Sequence, residues 1–135
     1  MNTIPYDILT IIVSYNDNYE NLCNQCKLSN NWKKAVYNFG CFITNINNLE
    51  QSIKLLQFCK KVRFIIDDMR SFKEEDIYNL KKNIYNVILT NNTLDYITTL
   101  GTCAALHTLY LYDTPVVTDA IIKLQISNKF IQIYR

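Results

Sequence analysis

Cys23 and Cys26 stand in a C-x-x-C spacing, the kind of pair that ligates zinc or exchanges electrons through a disulfide. Zinc would need two further ligands nearby, and neither a second such pair nor a neighbouring His accompanies this one. A redox pair of the thioredoxin type would follow a strand and open a helix, which this one does not. The two cysteines are therefore expected to be ordinary helix residues. His107 is the only histidine, and no Ser or Cys near it forms a nucleophile motif. Glu74, Glu75 and Asp76 could suggest a metal site, but they also fall in the first turn of an expected helix, where the dipole favours negative charge. With only Gly40 and Gly101, no glycine-rich phosphate loop can form. No catalytic residue, metal ligand or cofactor is expected, and the chain reads as a non-enzyme.

What must be positioned, then, is a surface. From Ile84 to Leu94 the chain runs I-x-x-V-x-L-x-x-N-x-L, with Val87, Leu89 and Asn92 inside the frame. The same frame returns as Leu106, Leu109, Leu111, Thr114, Val116, and earlier as Cys59, Val62, Phe64, Asp67, Met69. An earlier copy reads Phe39, Phe42, Thr44, Asn47, Leu49, and a fifth starts at Phe130 and Ile133. Frame positions four and six alternate on a short strand, so both point into a core. Position nine is a short polar residue, expected to satisfy backbone groups where the chain turns away. Parallel strands are expected near 62–64, 87–89 and 109–111, each followed by a helix.

The helices announce themselves by spacing. Leu49, Ile53 and Leu56 share one face, as do Ile77, Leu80 and Ile84, then Leu94, Ile97 and Leu100, then Ala120, Ile121 and Leu124. Ser71 with Glu74 has the pattern of a capping box, and Asn48 with Gln51 is a weaker version.

This frame, repeating at intervals of 20, 25, 22 and 24 residues, resembles the leucine-rich repeat, whose period is roughly 20–29 residues. The stretch Leu106–Leu124, with Val117, Thr118 and Asp119 ahead of its helix, resembles the cysteine-containing subtype. The resemblance implies an α/β solenoid over residues 39–135, with a short parallel sheet on the inner curve and helices outside. It also implies that a target protein binds the outward-facing strand residues: Lys61, Arg63 and Ile65; Asn86, Ile88 and Thr90; Thr108, Tyr110, Tyr112 and Asp113. That row runs from basic to tyrosine-rich, and tyrosines are common hot spots. The fifth frame would make a strand with an open edge, which a second copy or a partner would cover.

Residues 1–38 do not follow the frame. Ile4-Pro5, Asp7-Ile8-Leu9, Ile12-Val13-Ser14-Tyr15, Leu22, and Leu28-Ser29 ahead of Trp32 resemble the F-box, a small helical module. Asn16, Asn21 and Gln25 depart from it by making the surface more polar. Pro5 suits a helix start, and Ile8, Leu9 and Ile12 share a helix face. The resemblance implies that Ile4, Pro5, Ile8, Leu9, Ile12, Leu22, Leu28 and Trp32 dock on the adaptor of a cullin–RING ubiquitin ligase. The chain would then be the ligase's substrate receptor, carried by the cullin scaffold and acting by proximity. The alternative is a scaffolding repeat protein whose N-terminal helices only cap the solenoid.

Composition agrees with a folded, non-catalytic chain. Of the 135 residues 49% are hydrophobic, enough for a continuous core, and a net charge of +2 predicts no nucleic-acid tail. Met1 to Tyr15 lacks a basic start, so no signal peptide is expected, and no apolar run reaches the roughly 18 residues of a membrane span. Five cysteines without a secretory signal point to a reducing compartment, cytoplasmic or nuclear.

Overall fold

The computed structural model describes residues 4–90, 96–112 and 118–134. Frame residues Asn92, Leu94, Thr114 and Val116, and the site residue Asp113, lie outside the described residues. The fold is α/β: helices alternate with strands, and five strands hydrogen-bond in the order β1 (Ile43–Asn45), β2 (Arg63–Ile66), β3 (Ile84–Leu89), β4 (Thr108–Leu111), β5 (Gln132–Tyr134). The chain makes two compact units, Met1–Thr44 with Ser52–Arg63 and Asn45–Gln51 with Phe64–Arg135. The sequence boundary at 38–39 falls inside the first.

The first unit is built on α1 (Tyr6–Ser14), α2 (Tyr19–Cys26) and α3 (Asn30–Phe39). Each start has a chemical cause. Pro5 precedes α1 in an extended conformation, and its carbonyl accepts the N–H groups of Ile8 and Leu9. Asn18 Oδ1 accepts the Asn21 N–H at 3.2 Å, and Ser29 Oγ accepts the Trp32 N–H at 3.3 Å. Helix α3 ends at Gly40, where a Cβ would stand 2.6 Å from the Val36 carbonyl oxygen, so only glycine fits. Both α1 and α2 pack on α3, burying Leu9, Val13, Leu22, Ala35 and Val36.

Residues beyond the helices complete that small core, which is why the unit extends past the sequence boundary. Cys59 Sγ donates to the Gly40 carbonyl at 2.9 Å, and the Lys60 N–H donates to Tyr37. The Tyr19 ring lies 5.0 Å from Phe42 and 5.4 Å from Phe58. Such aromatic pairs are worth about 0.5–1.5 kcal/mol beyond their buried area.

In the second unit β2–β3, β3–β4 and β4–β5 are all parallel, at the positions the frames predict. After β2 comes a 3-10 turn (Met69–Ser71) and α5 (Glu74–Asn79); α6 (Tyr96–Leu100) follows β3 and α7 (Thr118–Ser127) follows β4. Helix α5 packs on α6, and α6 on α7. Most inward frame residues are buried: Phe64, Ile84, Val87, Leu89, Leu106, Leu109 and Leu111, and in the first unit Phe42, Cys59 and Val62, while Thr44 and Ile133 are half-buried.

Several local expectations change. The starts of the first and fifth frames, Phe39 and Phe130, are exposed rather than core. Strand β3 begins earlier than expected, at Ile84, and the register slips so that Phe64 pairs Ile84 while Ile65 pairs Asn86. That slip is a bulge, and Tyr85 is its extra residue. On α4 (Leu49–Phe58) the buried residue is Ser52, and Ile53 faces out. Ser71 does not cap α5; it belongs to the preceding turn, and Asp76 Oδ2 accepts the Lys73 N–H at 2.9 Å instead. Asn48 does cap, accepting the Gln51 N–H at 2.8 Å, and Gln51 Oε1 takes the Asn47 N–H. Asp67, a ninth-position residue, accepts from the Asn45 side chain rather than from backbone.

Candidate functional site

Two surfaces gather the residues singled out by sequence, one in each unit. On the first, α1 buries only Leu9 and Val13 against its neighbours. Its isoleucines face solvent, Ile8 42% exposed, Ile11 53% and Ile12 39%, as do Ile4 just before it at 44% and Tyr15 at its C-cap at 86%. Positions 8, 11, 12 and 15 follow the i, i+3, i+4, i+7 spacing, so they form one stripe along the helix. Leu28 is exposed as well, Pro5 is open, and Trp32 is half-buried.

The sequence grouped these residues as one docking face, and the structure divides them. Leu9 and Leu22 are fully buried, so they are core residues that hold the helices together and not contacts for a partner. Ile11 and Tyr15 were missed. Their signal was present, since Ile11 lies one turn after Ile8 on the same face and Tyr15 extends that face beyond Ile12.

Exposing a stripe of this size has a cost. Fully burying one aliphatic side chain of this kind is worth about 1.5–3 kcal/mol. Exposed apolar side chains on one helix face leave this surface without the burial that the opposite face has.

The second surface is the sheet face of the second unit. Register places Ile65, Asn86, Thr108 and Gln132 in one row, and Ile88, Tyr110 and Tyr134 in the next. Tyr110 stacks on Tyr134 at 5.1 Å and on Tyr112 at 6.0 Å, with the rings within 18° of parallel. Tyr112 and Tyr134 stay about half exposed, while Tyr110, Ile65, Asn86 and Ile88 are half-buried and Thr90 is exposed. The tyrosines thus pack on one another and still present ring edges and hydroxyls; Tyr134 donates to Gln132 Oε1 at 3.1 Å.

Thr108 is a correction. It is buried, and its Oγ1 lies 2.7 Å from His107 Nδ1, so it supports the face rather than meeting a target. Its neighbour His107 is itself exposed and stacks on Tyr85 at 5.1 Å. Lys61 and Arg63 are exposed but belong to the first unit, where the Lys61 ammonium sits 5.4 Å over the Phe39 ring. Asn86 Oδ1 is a further oddity: it is buried and, among the described residues, accepts no hydrogen bond.

Titratable groups bear on stability here rather than on chemistry. Burial pushes the Cys103 thiol up to about 11, and burial also raises Cys59 and Cys26. These thiols hold their protons and make poor nucleophiles. The Arg70 side chain, bonded to Asp68 through Nε and Nη2, holds that carboxyl down at about 2. Among the described residues, no three His, Cys, Asp or Glu side chains converge as a metal would require, and no helix is long and apolar enough to cross a membrane.

Comparison with known proteins finds no matching family model, no matching curated protein and no matching solved structure.

Proposed function

We propose that this chain is a non-enzymatic receptor subunit of a cullin–RING ubiquitin ligase. Its N-terminal helices act as an F-box on the ligase adaptor, and its leucine-rich repeats present a target protein. The observation that carries the reading is the α1 stripe: Ile8, Ile11, Ile12 and Tyr15 face solvent although their neighbours Leu9 and Val13 are core. An adaptor that covered the stripe would gain the free energy now forgone in water. The stacked Tyr110, Tyr112 and Tyr134 would meet the target. The chain then accelerates nothing itself; it raises the target's effective concentration at the ligase.

The alternative, a scaffolding repeat protein whose N-terminal helices only cap the solenoid, draws on the ring cluster of Tyr19, Phe42 and Phe58. Those contacts tie α2 to the first frame, as a cap requires. They do not account for the stripe. Affinity capture of the tagged chain from its native cells, scored for the ligase adaptor and a cullin, tests the choice. Recovery of both is expected, and recovery of neither from cells that express them would overturn the receptor reading.

A further inference from the structure

The first unit separates its charges by position. Its three acids, Asp7, Asp17 and Glu20, all precede Asn21; from Asn21 onward it carries seven Lys or Arg and no Asp or Glu. Several of these come together where α3 meets the segment before β2. Lys33 lies one helical turn before Tyr37, whose carbonyl accepts the Lys60 N–H at 3.1 Å. Lys61 accepts from Cys41 Sγ through its carbonyl and sets its ammonium over the Phe39 ring. Arg63 donates its N–H to Phe42 at 2.8 Å. Lys33, Lys34, Lys60, Lys61 and Arg63 are all exposed.

We propose that this basic belt docks an Asp/Glu-rich segment of a partner protein. The charge excess identifies an anionic partner, because a cluster of one sign raises the local concentration and encounter rate of the other. The rings then choose between protein and nucleic acid. Single-stranded nucleic acid needs open aromatic faces for its bases. Here Lys61 sits over Phe39, and Lys34 lies 5.5 Å over Tyr6. With ammonium groups on those two faces, the belt offers charge and aliphatic stems to carboxylates, and its exposed Tyr37 is a single ring rather than the run of rings on which successive bases stack.

The inference does not rest on the adaptor reading, since the belt and the α1 stripe use different residues. The test is fluorescence anisotropy with three labelled probes: a short Glu-rich peptide, its Gln-for-Glu counterpart and oligothymidylate. The Glu peptide should bind the parent chain and the Gln peptide should not. Binding should fade between 0.1 and 1 M salt, as the screening length shrinks from about 10 to about 3 Å. A Lys61→Glu, Arg63→Glu variant should weaken it about tenfold or more, and a milder Lys33→Gln, Lys34→Gln variant should weaken it less. Lys123→Gln with Lys129→Gln in the second unit should leave it unchanged, and adaptor capture should survive every one of these changes.

Absent binding, equal binding of the Gln peptide, indifference to both belt variants, or tighter binding of oligothymidylate would each overturn the proposal. So would salt-sensitive self-association of the parent chain that occupies the belt, which sedimentation would reveal. Peptide binding without adaptor capture would uphold the belt and sink the receptor reading, and the reverse result would do the opposite.

Discussion

Asn128 donates through Nδ2 to the backbone oxygen of Leu106 at 2.6 Å. It also reaches the Cys103 carbonyl at 3.5 Å. A side chain just beyond α7 therefore holds the loop that leads into β4, at the residue where the fourth frame begins. Replacing it removes a donor from a part-buried carbonyl, which typically costs about 1–3 kcal/mol. Asn128→Ala should lower the unfolding free energy by that amount, moving the denaturation midpoint down at an unchanged denaturant slope. A variant as stable as the parent would show that water serves the carbonyl equally well.

Asn86 poses the converse case. Its Oδ1 is buried on the sheet face between Ile65 and Thr108 and accepts no hydrogen bond from the described residues. An orphan acceptor carries its desolvation penalty uncompensated. Asn86→Leu, which keeps the approximate shape, should raise stability by about 1 kcal/mol. Thermal melting of the pair of proteins decides it, and a lower melting temperature would mean that the amide has a partner after all.

The buried thiol of Cys103 gives a pH signature. Its pKa is raised to about 11 by burial, against about 8.5 for an unfolded cysteine. The folded state thus holds the proton more tightly, and its contribution is complete below about pH 8.5 and lost as pH climbs towards 11. Asp68 has the opposite sign: held down by Arg70, it contributes above about pH 4 and loses that contribution as pH falls to about 2. The Asp68–Arg70 pair is exposed, so its effect should be slight. Thiol labelling of the native protein near pH 8 should modify Cys23, Cys26 and Cys41 before Cys59 and Cys103, which are buried. Early labelling of Cys103 would contradict this assignment.

The sheet was readable in the sequence wherever a single periodicity governed the residues. Val62 and Phe64, Val87 and Leu89, Leu109 and Leu111 alternate with outward residues, and all six are buried. Legibility failed where two forces compete. On α4 the 3.6-residue period suggests Ile53 as the inward residue, yet the small Ser52 takes the buried position. On α1 Ile8 and Leu9 are adjacent apolar residues of equal appeal, and only the packing of α1 on α3 decides that Leu9 goes in and Ile8 stays out. Asn128 was invisible for a different reason. It precedes the fifth frame, so a pattern that starts at Phe130 passes over the side chain that ties it to Leu106.

The α1 stripe is where adaptor docking and capping part ways. Pro5 and Ile8 are exposed and lie outside the core formed by Leu9, Val13 and α3. Losing an interface anchor typically costs about 2 kcal/mol or more, roughly a thirtyfold fall in affinity. The decisive measurement is adaptor affinity and melting temperature on one Pro5→Ala, Ile8→Ala variant beside its parent. The receptor reading predicts adaptor binding by the parent, its loss in the variant, and a nearly unchanged melting temperature. A variant that melts earlier, from a parent that never bound the adaptor, would contradict it and leave the helices as a cap.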